Sequence, residues 1–414
     1  MKHILEYVWI DADGGMRSKT RVVQLEESAT CILADPRRWE WSFDGSSTGQ
    51  ATGTDSDVLI RPVALYSNPF YKSPPFGQRG YFGGAHLVLC ECYNKDGTTP
   101  HATNARVRCA KTEAACAAQE PIFGIEQEYV LFSKTKEVPY QWATADDPGC
   151  GGQGPYYCGV GGDRCFGRKI VDQHLHACLH AGIEICGTNA EVMASQWEFQ
   201  IGPLPALQVS DQLWMARYIL MRITEEHGCC ATFHPKPMRT WNGSGGHTNF
   251  STAAMRGSNP ESTDAMRGSN PESMRGSNPE SMRGSNPEST DAMRAERAES
   301  IRGSNTDATD AIDAIMDACT KLQANHAEHM AVYGEFNDAR MTGLHETSSM
   351  HECTWGVSDR GRSIRIPRHV ANQGHGYLED RRPAANLDPY LVTERIMRTC
   401  CLDLDPPSSH HAQR

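Results

Sequence analysis

Near the start of the chain Leu5, Tyr7 and Trp9 alternate with Glu6, Val8 and Ile10, a two-residue period that predicts a half-buried strand. Asp13-Gly14-Gly15 supplies a turn, and strand-like texture resumes over 18–25, so a hairpin is expected there. Residues 86–92 and 122–132 carry further strand patterns. Between them the polar stretch 94–99, with Lys95-Asp96-Gly97 as a turn, predicts a domain boundary near residue 100. The division is a small β-rich domain over 1–100 and a larger one over 101–414. In the larger part the apolar spacing changes to three and four. Residues 168–181 put Val171, Leu175, Cys178 and Leu179 on one helical stripe, with Gly182 as the stop. Ser210 reads as the N-cap of a helix through Glu226, closed by Gly228. Ile312, Ile315, Met316, Cys319 and Leu322 form another stripe, and Asp388-Pro389 reads as N-cap and first residue of a helix through Cys400. Strand groups with segregated helices predict an α+β fold.

One segment has neither period. Met-Arg-Gly-Ser-Asn-Pro-Glu-Ser occurs at 255–262, 266–273, 274–281 and 282–289, and degenerate copies run to about residue 308. Each Asn-Pro step opposes a helix, and the eight-residue unit is shorter than the ~20 residues a solenoid repeat needs. A surface loop inserted over 255–308 is expected, at a closure cost that grows only logarithmically with length.

Composition narrows the function. The 414 residues carry 40 Lys and Arg against 51 Asp and Glu, a net charge of −11, which argues against nonspecific nucleic-acid binding. No run approaches the ~18 apolar residues of a membrane span. Met1-Lys2-His3-Ile4 leads straight into the first strand pattern, with no targeting segment. The sixteen cysteines show no Cys-x-x-Cys spacing, which suits reduced thiols. A cytoplasmic protein is expected; an organellar one would require a removed transit peptide.

The chemistry lies in acidic residues set among apolar ones. Glu126 and Glu128 share one face of the strand pattern at 122–132, ~7 Å apart along it. Glu198 shares a face with Gln196 and Gln200, while Trp197, Phe199 and Ile201 face the core; Glu191 lies close by in sequence. Such carboxylates are either solvated, paired with basic residues, or gathered around a hard divalent cation. The Glu-x-Glu placement inside an apolar strand favours the cation. His247, approached through Gly245 and Gly246, adds a possible nitrogen ligand. Arg340, Arg360, Arg365, Arg381 and Arg382 recur around Gly- and Ser-rich turns, as phosphate and carboxylate recognition requires. Together these residues predict metal-dependent phosphoryl transfer, without a P-loop sequence.

In order along the chain the motifs resemble type II, eukaryotic-type glutamine synthetase. They are Trp-Ser-Phe-Asp-Gly-Ser-Ser-Thr at 41–48, Phe-Gly-Ile-Glu-Gln-Glu-Tyr at 123–129, Gly-Pro-Tyr-Tyr-Cys-Gly-Val-Gly at 154–161, Asn-Ala-Glu-Val-Met at 189–193 and Gln-Trp-Glu-Phe-Gln at 196–200. They continue with Trp-Asn-Gly-Ser-Gly-Gly-His-Thr-Asn-Phe-Ser at 241–251, Thr-Gly-Leu-His-Glu-Thr at 342–347, Ser-Ile-Arg-Ile-Pro-Arg at 363–368 and Tyr-Leu-Glu-Asp-Arg-Arg-Pro at 377–383. The resemblance implies an N-terminal β-grasp domain and a C-terminal catalytic domain built on a curved antiparallel sheet with helices. It implies a homo-oligomer, a decamer of two pentameric rings, with active sites between subunits. The implied reaction joins ammonium to L-glutamate at the expense of ATP through γ-glutamyl phosphate, with two or more Mg²⁺ or Mn²⁺ per site.

Residue by residue, the resemblance implies Glu128, Glu191 and Glu198 as ligands of one metal and Glu126, His247 and Glu379 as ligands of the metal bridging the ATP phosphates. Asp44 would take the ammonium proton, assisted by Asp57 and Tyr157, and Glu346 would shield the acyl phosphate from water. Asn242, Gly243, His247, Arg340 and Arg381 match glutamate-binding positions, with Arg360 shared between glutamate and the phosphoryl group. Asn249, Ser251, Arg365 and Tyr377 match the nucleotide side. Two departures stand out: His234 occupies a position where the family usually has Asp, near the expected nucleotide pocket, and Asp359 precedes Arg360 where Asn is common. An inactive homologue would lose metal ligands, and a ligase for a larger amine would lose Asp44, Asp57, Tyr157 and Glu346. All of these residues are present.

Overall fold

The computed structural model describes residues 1–26, 28–71, 82–135, 138–142, 154–257, 306–344 and 347–402. The repeat between 258 and 305 and the candidate Glu346 lie outside them.

The N-terminal strands β1 (Lys2–Ile10), β2 (Met16–Gln24), β3 (Trp41–Asp44), β4 (Asp57–Ser67) and β5 (Phe82–Tyr93) form one sheet in the order β2-β1-β5-β4-β3. The hairpin expected at the start is present, in register from Lys2 opposite Gln24 to Ile10 opposite Met16. β1 runs parallel to β5, giving the mixed sheet of a β-grasp unit. Leu5, Tyr7 and Trp9 pack with Phe43, Val58 and Ile60, and Ile32 of α1 (Cys31–Ala34) joins them on that face.

β1 is not half-buried as its pattern predicts. Its reverse face is covered too: Val8 is 1% exposed and Glu6 3%. The cover is α4 (Ala206–Glu226), from which Arg222 donates to Glu6 Oε1 at 2.6 Å while Asn68 donates to Oε2 at 2.8 Å. A half-buried strand would leave Glu6 to solvent; here it is a buried, fully partnered anion.

The second sheet comprises β6 (Ile122–Ser133), β7 (Ile185–Ala190), β8 (Gln196–Leu204), β9 (Cys229–Thr232), β10 (Gly246–Ser251), β11 (Trp355–Val357), β12 (Ile364–Ile366) and β13 (Leu378–Asp380). Its order is β11-β12-β13-β10-β6-β8-β7, and β9 pairs with the end of β6 that β10 leaves free. Every ladder is antiparallel except β11 with β12 at one edge. On β6 and β8 the odd-numbered residues Phe123, Ile125, Tyr129, Leu131, Trp197, Phe199 and Ile201 face the core. They pack against α3 (Arg168–Ala181) and α4, while α6 (Thr306–Ala324) and α9 (Pro389–Cys400) contribute Ile312, Ile315, Leu322, Val392 and Ile396 to the same core. The even-numbered residues of β6 and β8 are left to the opposite face.

Two helix expectations change. In α3 the buried stripe is Ile170, Val171, His174, Cys178 and Ala181, and Leu179 is exposed. α4 begins at Ala206, and Ser210 is no cap: it lies inside the helix and donates back to the Ala206 carbonyl at 2.7 Å. The first-turn amide of Leu207 is instead satisfied by Glu113 of α2 (Ala105–Ala115) at 2.7 Å, a tertiary cap that no local pattern reveals. Asp388 caps α9 as expected, accepting from the Tyr390 amide at 2.9 Å.

Candidate active site

The register of the second sheet turns the even face of β6 into a row of ligating groups. Glu128 stands directly opposite Glu198 on β8, and Glu126 stands opposite His247 on β10. One strand further, Asn249 of β10 is opposite Glu379 of β13, itself opposite Arg365 of β12. Directly paired residues in antiparallel strands hold their Cβ atoms about 5 Å apart, so five strands converge on a patch only a few side chains wide.

His247 is the hub. Its Nδ1 lies 3.6 Å from Glu126 and 3.7 Å from Glu379, and its Nε2 lies 3.9 Å from Glu128. Glu126, His247 and Glu379 each offer a ligand atom within 4.8 Å of the others, the only such trio among the described residues. Each glutamate of β6 has one oxygen anchored and the other turned inward. Glu126 Oε1 accepts from Asn249 at 3.0 Å; Glu128 Oε2 accepts from Gln196 at 3.1 Å and from the Gly245 amide at 3.0 Å. No Lys or Arg pairs with Glu126, Glu128 or Glu198 among the described residues. Burial first, then the like charges of Glu126, Glu191 and Glu128, push the Glu198 carboxyl well above its ordinary value. Crowded carboxylates with amide neighbours and one imidazole, only Glu379 of them bridged by arginines, are a donor set that fits a hard divalent cation.

The other implied trio is looser. Glu198 is hydrogen-bonded by Gln200 and Glu191 by Asn189 at 2.8 Å, and Glu128, Glu191 and Glu198 do not bring three ligand atoms together in this arrangement. Glu379 is also engaged, by Arg365 at 2.6 Å and Arg381 at 2.7 Å. Burial opposes its ionisation, yet Arg381 and Arg365 hold its carboxyl far below the usual range.

Beside this row Arg340 is 4% exposed and locked from two sides. Its Nε donates to Asn337 Oδ1 at 2.9 Å and its Nη2 reaches the carbonyls of Arg381, Arg382 and Pro383. Nη1 is left toward Gly245. A Cβ at Gly243 would stand 2.4 Å from Arg340 Cγ and 2.5 Å from the Pro235 carbonyl, so only glycine fits. Asn242, 8% exposed, has a buried Oδ1 with no hydrogen-bond partner, an acceptor aimed at something else. Asn337 is a positioning residue that sequence reading missed, although its three-residue spacing from Arg340 was a usable signal.

The nucleotide-side candidates form the neighbouring wall. Ser251 Oγ donates to the Gly376 carbonyl at 2.6 Å, tying β10 to the turn before Tyr377, which is 6% exposed. Arg360 lies near enough to act electrostatically on both Glu379 and Tyr157. Asp359 turns elsewhere, accepting from Arg362 Nε and the Gly361 amide, each at 2.9 Å. His234 precedes Pro235, whose carbonyl accepts from the Ser244 amide at 2.8 Å, beside Gly243.

The ammonium-site candidates divide. Tyr157 adjoins the carboxylate row, its hydroxyl raised by burial and then by Glu191. Asp44 and Asp57 face each other across the edge strand β3 and its neighbour β4 in the first sheet. Asp44 is exposed and accepts from Ser46 and Ser47 hydroxyls at 2.7 and 2.8 Å, which hold its carboxyl below the ordinary range. Neither aspartate bonds to any residue of the row among the described residues.

Residues 104–273 match the family described as glutamine synthetase, catalytic domain. The chain is 44% identical over 401 residues to a glutamine synthetase of Debaryomyces hansenii, covering 97% of this chain and 90% of that protein. It is 45% identical over 399 residues to one of Agaricus bisporus, 96% and 93% covered, and 44% identical over 403 residues to one of Saccharomyces cerevisiae, 97% and 90% covered.

Proposed function

Since this chain belongs to the eukaryotic-type glutamine synthetase family, we propose how its own residues divide the work of the ligation. The activity is the ATP- and divalent-metal-dependent joining of ammonium to L-glutamate to give glutamine. The observation that carries the residue assignment is the convergence of Glu126, His247 and Glu379 within 4.8 Å.

A bound cation would supply the charge that aligns the ATP phosphates and offsets the carboxylates. We assign Mg²⁺ or Mn²⁺, one ion to Glu126, His247 and Glu379 and a second to Glu128, Glu191 and Glu198. Arg340 Nη1 takes a carboxylate oxygen of glutamate, and the orphan Oδ1 of Asn242 accepts from its amino group. Arg381 joins them, and Gly243 leaves the room that both need. Arg360 meets the phosphoryl group as it moves to the side-chain carboxylate, an interaction that strengthens with the developing charge. Asn249, Ser251, Arg365 and Tyr377 shape the nucleotide wall. Asp44, kept anionic by its serines, draws in ammonium with Asp57 and Tyr157 and takes a proton as the C–N bond forms. Glu346 covers the acyl phosphate.

The exposed position of Asp44 on an edge strand supports a site completed by the small domain of a neighbouring subunit, in a decamer of two pentameric rings. We place the domains at 1–100 and 101–414, with the repeat inserted in the second; the loop expected over 255–308 is shorter at both ends, since Met255 and Arg256 are buried in a helical turn and Thr306 opens α6. Buried free thiols such as Cys90, Cys109, Cys178 and Cys319 support a reducing, cytoplasmic setting. No described helix is long and apolar enough to cross a membrane. Phosphate and glutamine release, followed together with and without ammonium, tests the assignment: both require ammonium in the wild type, and Glu126→Ala abolishes both. Retained turnover in that variant would refute the metal trio.

A further inference from the structure

Phe336 is the least economical residue near the site. Its backbone is left-handed, with φ 56° and ψ 22°, a conformation glycine or asparagine adopts far more readily than an aromatic. The residue is 60% exposed, so burial does not explain it either. What the ring does is stack on His234, with centroids 5.4 Å apart and planes 20° from parallel. Strain that persists in an exposed side chain points to a role for the contact it makes.

The stack closes a circuit of contacts around the glutamate-side residues. His234 precedes Pro235, whose carbonyl accepts from Ser244 and stands 2.5 Å from a Cβ at Gly243. Gly243 in turn lies against Arg340, whose Cγ that same Cβ would meet at 2.4 Å. Arg340 is aimed by Asn337, which also donates to the Arg382 carbonyl at 2.7 Å. Asn337 opens the turn for which Phe336 is the N-cap, and Ala339 returns its amide to the Phe336 carbonyl at 3.2 Å.

We propose that Phe336 and His234 form a positioning brace that keeps Arg340 and Asn242–Gly243 at the spacing glutamate requires, without acting on the nucleotide wall. The brace rests on the glutamate-side reading above. His234, at the position where an aspartate is usual, is thereby the partner that an aromatic at 336 needs.

The test uses the full-length oligomer and steady-state kinetics against each substrate. Phe336→Asn keeps a residue that tolerates the left-handed backbone and removes the ring. It should raise the glutamate KM about three- to tenfold, the effect expected of one aromatic stack, while the ATP KM stays within about twofold. The melting temperature should not fall. Phe336→Tyr should restore the wild-type KM, and His234→Ala should reproduce the loss while His234→Phe does not. The double variant Phe336→Asn/His234→Ala should be no worse than either single one. An unchanged glutamate KM in Phe336→Asn, or equal rises for ATP and glutamate, overturns the brace. If that variant does not assemble, His234→Ala decides by the same criterion. Arg340→Lys separates the two levels: a raised glutamate KM there with none in the brace variants removes the brace alone. No rise with Arg340→Lys removes the glutamate reading and the brace together.

Discussion

Replacing Glu198 by glutamine should stabilise the metal-free protein while weakening its response to metal. The substitution is nearly isosteric, and the amide oxygen can still accept from Gln200. Glu198 is buried and faces Glu126, Glu191 and Glu128, so its ionisation is opposed by desolvation and by like charges. A carboxylate pair about 5.5 Å apart repels by roughly 3 kcal/mol at an effective dielectric near 20, and Glu128 directly opposite sets that scale. The sign follows from linkage. The folded-state carboxyl titrates above its unfolded value, so folding takes up a proton; the associated stability is fully present below the unfolded value of 4.5 and declines as pH rises toward the folded one. Glu198→Gln has no such decline. Thermal melts in chelator between pH 5 and 8.5 should therefore show the variant gaining on the wild type by several degrees as pH rises. Saturating Mg²⁺ should stabilise the wild type more than the variant, which keeps only the ion of Glu126, His247 and Glu379. A variant that melts below the wild type in chelator at high pH, or gains as much from Mg²⁺, would refute the electrostatic argument.

Gly243→Ala should raise the glutamate KM by at least about tenfold in steady-state assays, because its Cβ collides with Arg340 and a backbone carbonyl. Asp44→Ala should weaken ammonium use far more than ATP binding, compared by ammonium KM and nucleotide titration; equal losses would remove its proton-acceptor role. Asp359→Asn should change the ATP KM less than about twofold, since Asp359 is engaged by Arg362 rather than Arg360. Gln127→Leu should cost about 3 kcal/mol in denaturant unfolding, because it deprives the buried Arg217 guanidinium of the oxygen that Nε meets at 2.9 Å. Restoration by adding Arg217→Met would identify the stranded charge as the cause.

Where a feature depends on neighbours along the chain, the sequence was a good guide. The strand carrying Glu126 and Glu128, the helix at 168–181 with its Gly182 stop and the Asp388 cap all match their patterns. Where a feature depends on what packs against it, the pattern misled. Glu6 looked solvent-facing until Arg222 and Asn68 covered it. Ser210 looked like a cap because the true partner of the first turn, Glu113, lies on another helix. Asp359 adjoins Arg360 in sequence yet accepts from Arg362, because adjacency says nothing of which way a turn points its side chain.

The alternation along β6 was enough, by itself, to put two carboxylates on one face and apolar residues on the other, since side-chain direction in a strand follows from local backbone geometry. Which groups meet those carboxylates was decided by strand register: only the pairing of β6 with β8 and β10, and of β10 with β13, brings Glu198, His247 and Glu379 to them. Register is set by the whole sheet closing over one core, because a one-residue slip would send every ligand to the wrong side. The same holds for Phe336 and His234, two residues whose meeting no local rule anticipates and which touch only because two distant turns are folded against one another.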